Sequence, residues 1–156
     1  MNWGEMKLVL TNVLDGYALQ SSVLTPDDIV SAVNASMALA AEEAWTWRDV
    51  GALYGDHAVL ADQGLIYPDP LSTGSQDNTV IDLPRMLHMA VVWMSASIIA
   101  EKFGQAPSGA KAPDWFLKRY SDSMARAKAF YAANKPTKPS RIRSATDPNM
   151  QDRIRL

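Results

Sequence analysis

Residues 83–104, LPRMLHMAVVWMSASIIAEKFG, are apolar on nearly every side. A helix with that pattern needs neighbours all round it, so the rest of the chain must supply a shell. Pro84 suits the first turn of this helix, where its missing N–H costs nothing, with Asp82 or Leu83 capping or preceding it, and Gly104 suits the stop. Its polar residues, Arg85, His88, Ser95 and Lys102, are spaced by three and seven and share one narrow face, expected to meet solvent or a partner. The charge-free part is shorter than the roughly 20 residues needed to cross a bilayer, and it contains His88 and two serines, so no membrane span is expected.

The shell can be read in order. Trp3, Met6, Val9 or Leu10, Val13 and Leu14 fall at helical spacing before a stop at Asp15-Gly16, giving a short first helix. Thr25-Pro26-Asp27-Asp28 opens a second: Thr25 as cap, Pro26 in the first position, and two acids where the helix dipole favours them. Its apolar stripe runs through Ile29 or Val30, Val33, Met37, Ala40 or Ala41 and Ala44 or Trp45, with Trp45 and Trp47 closing the far end. Asn34 lies beside that stripe and reads as a half-exposed residue rather than a buried hydrogen-bonding device.

Residues 49–82 break the pattern with glycines and prolines. Ala58-Val59-Leu60, Leu65-Ile66-Tyr67 and Thr79-Val80-Ile81 are candidate strand pieces for a small β-hairpin in a long loop. After a linker, Pro113 opens a last helix whose stripe is Leu117, Tyr120, Met124, Ala127 and Tyr131, flanked by Trp115, Phe116 and Phe130. Lys118, Asp122 and Arg126 form four-residue pairs on its wet face. The tryptophans on these stripes read as core rather than as stacking platforms. The expected fold is mainly α: a small bundle of about four helices over residues 1–133, carrying the 49–82 insertion, followed by an extended arm over 134–156.

The 156-residue chain has a net charge of -2, which hides an imbalance. Residues 134–156 hold Lys135, Lys138, Arg141, Arg143, Arg153 and Arg155 against Asp147 and Asp152, which leaves +4 there and -6 on the body. An acidic body with a basic, proline-punctuated arm argues for an arm that docks, with Ile142, Ile154 and Leu156 as apolar anchors.

Little points to catalysis. Cysteine is absent, which removes thiolate metal sites, cysteine nucleophiles and disulfides, and the N-terminus lacks the pattern of a signal peptide. His57 and His88 have no second ligand or base at a catalytic spacing, although Asp56-His57 with Asp62 is a conceivable site. No glycine loop has the helix start and lysine of a phosphate cradle. Neither an enzyme, a metal nor a cofactor is expected.

Four stretches together resemble the adaptor, or head–tail connector, proteins of tailed bacteriophages. Asn2-Trp3-Gly4-Glu5-Met6-Lys7-Leu8 is similar to their amphipathic first helix, and Leu24-Thr25-Pro26-Asp27-Asp28 through Asn34-Ala35 to their second-helix start. Val80-Ile81-Asp82-Leu83-Pro84 resembles the strand that leads into the long core helix, and Pro113-Asp114-Trp115-Phe116-Leu117-Lys118-Arg119-Tyr120 the closing helix. The resemblance implies a structural protein of the virion neck, made in the host cytoplasm: a ring homo-oligomer, by family a dodecamer, that extends the DNA channel under the portal protein. A stopper or tail-terminator protein would bind below, and DNA would pass for packaging and ejection without sequence-specific contact. By the same resemblance the portal-binding arm is Arg141, Ile142, Arg143, Arg153, Ile154, Arg155 and Leu156. The neighbour or tail contacts expected in the loop are Asp56, Tyr67, Asp69 and Asp77. The competing reading is a small helical regulator that binds nucleic acid through its basic tail.

Overall fold

The computed structural model describes residues 1–19, 23–45, 47, 60, 61, 64, 65 and 67–133. They are mainly helical: α1 (Trp3–Val13), α2 (Pro26–Trp45), α3 (His88–Lys102) and α4 (Pro113–Ala133) form a small bundle. Two short strands, β1 (Leu60–Ala61) and β2 (Gly64–Leu65), pair antiparallel with Leu60 opposite Leu65. A hairpin thus sits within the 49–82 insertion. Val80 does not join it and instead bridges to Asn2 at the start of α1. The arm residues Arg141, Ile142, Arg143, Arg153, Ile154, Arg155 and Leu156 lie outside the described residues, as do Asp56, His57 and Asp62.

Helix α3 is the post around which the others pack. His88, Ala90, Val91, Val92, Ser95, Ala96, Ser97, Ile99 and Ala100 are all buried, leaving little free surface on its 15 residues. The entry differs from the expected one. Pro84 is extended at φ -52°, ψ 136° and precedes a 3-10 turn, Arg85–Leu87, that runs on into α3, and neither Asp82 nor Leu83 caps the helix. Burial of Ile81 and Leu83 draws the approaching segment into the core, which holds Pro84 outside the helical turn. At the far end Gly104 takes φ 69°, the left-handed stop that glycine allows.

The polar stripe read on α3 divides in two. Arg85 and Lys102 are exposed, whereas His88 and Ser95 are buried and face no solvent. His88 Nε2 donates to the Leu83 carbonyl at 2.8 Å, since a carbonyl only accepts. Ser95 Oγ lies 2.7 Å from Val91 O and 3.1 Å from Ser36 Oγ, and Ser36 Oγ donates to Ala32 O at 2.7 Å. Both hydroxyls are satisfied by their own helices. With Ala32, Ala40, Ala44, Ala96 and Ala100 also buried, small side chains dominate this part of the core and allow close approach.

The helix starts follow local chemistry. Asn2 and Glu5 form a reciprocal capping box, Asn2 Oδ1 accepting from Glu5 N at 2.8 Å and Glu5 Oε2 from Asn2 N at 2.9 Å. Thr25 and Asp28 make the same exchange at α2: Thr25 Oγ1 accepts from Asp28 N at 3.2 Å and Asp28 Oδ2 from Thr25 N at 2.9 Å. On α4 the buried set is Phe116, Tyr120, Met124 and Ala127, so Phe116 takes the core position that spacing had offered to Leu117, which is 43% exposed. Either residue satisfies a helical step to Tyr120, and only packing on α3 separates them.

Residues 67–84 tie α2 to α1. Asn34, half buried, donates through Nδ2 to Leu71 O and accepts at Oδ1 from Leu71 N, both at 2.9 Å, so its amide serves as a one-residue strand partner for the crossing segment. The hydrogen-bonding role that the sequence did not favour for Asn34 is therefore the one it has. At α1, Gly4 N donates to Asp77 O and Trp3 N to Thr79 O, both at 2.8 Å. A Cβ at Gly4 would lie 2.9 Å from Asp77 Cβ and 3.2 Å from Asp77 O, too close for any larger residue without a shift.

Replacing Asn34 with Ala leaves a backbone donor and acceptor at buried Leu71 unpaired. It should cost about 2 kcal/mol of stability, measured by urea denaturation, with helical content retained below the transition.

Candidate interaction surfaces

Among the described residues no group of three His, Cys, Asp or Glu side chains could hold a metal ion, and no helix is long and apolar enough to cross a membrane. The notable surface features are an aromatic groove and an uneven distribution of charge.

The groove lies where α1, α3 and the start of α4 meet. Trp93 of α3 and Trp115 of α4 stack edge to face, with ring centroids 5.7 Å apart and planes at 82°. Val9, Asn12, Val13 and Asp15 line the α1 side, and Gly109 and Lys111 close the end, around a volume of about 430 Å³. Two cations bracket Trp115: Lys111 Nζ is 5.8 Å and Arg119 Cζ 4.8 Å from its ring centroid. The indole quadrupole attracts both, so the Trp115 end of the groove is cationic over an apolar floor, with Asp15 as the acid of the lining. Met86 and Met89, 37% and 36% exposed, precede Trp93 at helical spacing and extend the same apolar line along α3. A second recess of about 380 Å³, lined by Thr11, Leu14, Asp15, Gly16, Tyr17, Ala18 and Leu19, adjoins the first through Asp15. Its wall is firm: Tyr17 OH donates to Lys111 O at 2.6 Å and its ring meets Phe103 edge on at 5.3 Å. Burial raises the Tyr17 pKa above the usual phenol range.

Charge is segregated within the body as well as between body and arm. Helix α2 carries Asp27, Asp28, Glu42 and Glu43 and no Lys or Arg; residues 67–84 carry Asp69, Asp77 and Asp82 and again no Lys or Arg. Helix α4 has the opposite balance, with Lys118, Arg119, Arg126 and Lys128 against Asp114 and Asp122. Two of the acids are matched by cations from other elements, Asp28 by Lys102 and Asp77 by Lys7. Two more hold tyrosines: Tyr67 OH donates to Glu42 Oε1 and Tyr120 OH to Glu43 Oε2, both at 2.7 Å. Burial, and then the carboxylate of Glu43, push the Tyr120 pKa upward.

The loop residues expected to meet a neighbour are thus placed differently from one another. Tyr67 is 53% exposed and tethered to α2 through Glu42; Asp69 is exposed; Asp77, with its Lys7 ion pair and its carbonyl on Gly4, fastens the loop to α1. The groove was not visible in the sequence, because Trp93 and Trp115 sit at the margins of apolar stripes, where a tryptophan reads as core. The nearest sequence signal was the pair of cations, Lys111 and Arg119, four residues to either side of Trp115. Comparison with known proteins gives no match among family models, curated proteins or solved structures.

The Lys102 ion pair, then the hydrogen bonds from Thr25, lower the Asp28 pKa from 3.8 to about 2. A carboxyl depressed on folding adds stability above its ordinary pKa and loses it as pH falls through the folded value. Thermal stability of the wild-type chain should therefore fall between pH 4 and about 2. In Lys102→Met the acid limb should shallow, a comparison made by calorimetry across that range.

Proposed function

We propose that this chain is a subunit of the head–tail adaptor ring of a tailed bacteriophage, a structural protein of the neck that is not an enzyme. The observation that carries the reading is the order of its elements. A short helix capped by Asn2 is followed by one opened at Thr25-Pro26. The extended stretch through Val80 and Pro84 then leads into the buried helix, and a closing helix starts at Pro113. The stretches that resemble the adaptor family fall on these boundaries, in the same sequence order.

The charge pattern supports the same reading. A channel that lets DNA slide must not hold its phosphates, and residues 67–84 offer a surface without a Lys or Arg of their own. The arm over 134–156, at +4 with Ile142, Ile154 and Leu156, suits an acidic partner with apolar pockets, the role assigned here to the portal protein above the ring. The stopper or tail-terminator protein docks on the opposite side. The ring is a dodecamer in the family.

The rival reading, a nucleic-acid-binding regulator, draws on the basic residues of α4 and the arm. Phosphate-driven binding must weaken steeply with salt, so a duplex-binding salt series separates the two.

Removing residues 134–156 should leave unfolding of the helical body nearly unchanged while abolishing capture by portal rings of the same phage, giving filled heads without tails. Pull-down on portal rings and calorimetry read the two effects. Normal capture by the truncated chain would move the docking surface to the 49–82 loop. A melting point many degrees lower would mean that the arm packs on its own body.

A further inference from the structure

We propose that the groove between α1 and α4 receives the outer face of α2 from a second copy of this chain, joining copies head to tail. The inference rests on the ring reading above and supplies its subunit contact.

The groove has the build of a helix acceptor. Its floor is apolar, built from the Trp93–Trp115 pair with Val9 and Val13, and around Trp115 it carries the cations Lys111 and Arg119 against one acid of the lining, Asp15. A helix suited to it presents a narrow ridge with one apolar knob and acids beside it. Helix α2 does this. Ser31, Ala35 and Leu39 step by four along its exposed side, Leu39 is 39% exposed, and the small side chains at Ser31 and Ala35 let another surface come close to the backbone. Asp27 and Glu42 are exposed on the same helix, which holds no cation to offset them. Seated in the groove, Leu39 meets the indoles, and Glu42, whose Oε1 accepts from Tyr67 OH, offers its other carboxylate oxygen to Lys111 and Arg119. Residues 134–156 are the other segment long enough to enter, but their surplus of arginines opposes those cations.

A chain cannot fill its own groove with its own α2. Trp93 faces Trp115 of α4, while Ser95, two positions on, meets Ser36 of α2. Two positions on a helix are about 200° apart, so groove and α2 lie on opposite flanks of α3. The contact therefore passes from each copy to the next and is heterologous, the kind that closes a ring when its rotation allows.

The test uses full-length chain, followed by native mass spectrometry and sedimentation, with helical circular dichroism confirming the fold of each variant. Wild type should assemble, alone or on portal rings. Leu39→Glu, which alters an exposed side chain with no hydrogen bond, should weaken association by about tenfold or more, as should Arg119→Glu and Glu42→Lys. An equimolar mixture of the Arg119→Glu and Glu42→Lys chains should assemble again, because every groove then meets an α2 of opposite charge. If wild type assembles and the three variants do so equally well, this contact is wrong and the ring reading stands. If wild type neither self-associates nor joins portal rings, the ring reading fails and the contact with it. A change in tryptophan fluorescence on adding a peptide of residues 134–156, with assembly indifferent to Leu39→Glu, would give the groove to the arm and overturn the proposal.

Discussion

Burial of α3 on nearly all sides is the constraint on which the remaining structure depends. A helix that presents apolar side chains all round must be enclosed, and the enclosure comes from α1, α2 and α4 with residues 67–84. Close enclosure needs small residues at the seams. Between α2 and α3 the chain supplies alanines and the hydroxyls of Ser36 and Ser95, each turned back on its own helix. Serines satisfied in this way pack much as alanines do, and the one polar contact across the seam, Ser95 Oγ to Ser36 Oγ at 3.1 Å, joins the two hydroxyls to each other.

The shell is fastened by backbone as much as by side chains. Residues 67–84 have no helix or sheet of their own, yet their amides and carbonyls must be paired where they cross the core. Asn34 does this at Leu71, and the N-terminal N–H groups of α1, which no helix can satisfy internally, do it at Asp77 and Thr79. One unsatisfied set meets another. The same crossing explains why glycine stands at position 4, where the two backbones approach too closely for a Cβ.

Enclosure of one helix leaves the outer faces of the others unlike each other. α2 is acidic with a small-residue ridge, α4 is basic, and the aromatic groove beside α4 remains open. Unlike faces on opposite flanks of a subunit favour contacts that run in one direction round an assembly. A two-fold pair would require one patch to match itself. That is the physical link between the packing of the bundle and the ring proposed for it.

The sequence by itself determined the helices and most of their limits, though not the entry of α3, which Pro84 precedes rather than opens. Thr25 and Gly104 act through bonds to residues three away, and Pro26 and Pro113 through the N–H they lack, so local chemistry suffices to read them. It also showed which helix is central, because apolarity all round is a property of the helix alone. The hairpin within the insertion was legible as strand pieces. Tertiary structure decided everything that depends on which side faces what. Phe116 and Leu117 are equivalent by spacing and differ only in what α4 packs against; His88 and Ser95 look like a wet stripe until their acceptors at Leu83, Val91 and Ser36 are in place. Asn34 finds its partner 37 residues away, and the Trp93–Trp115 groove joins two helices with Val9 and Val13 of a third. Periodicity records the direction of a side chain relative to its own helix, whereas burial, pairing and grooves depend on the relative placement of several.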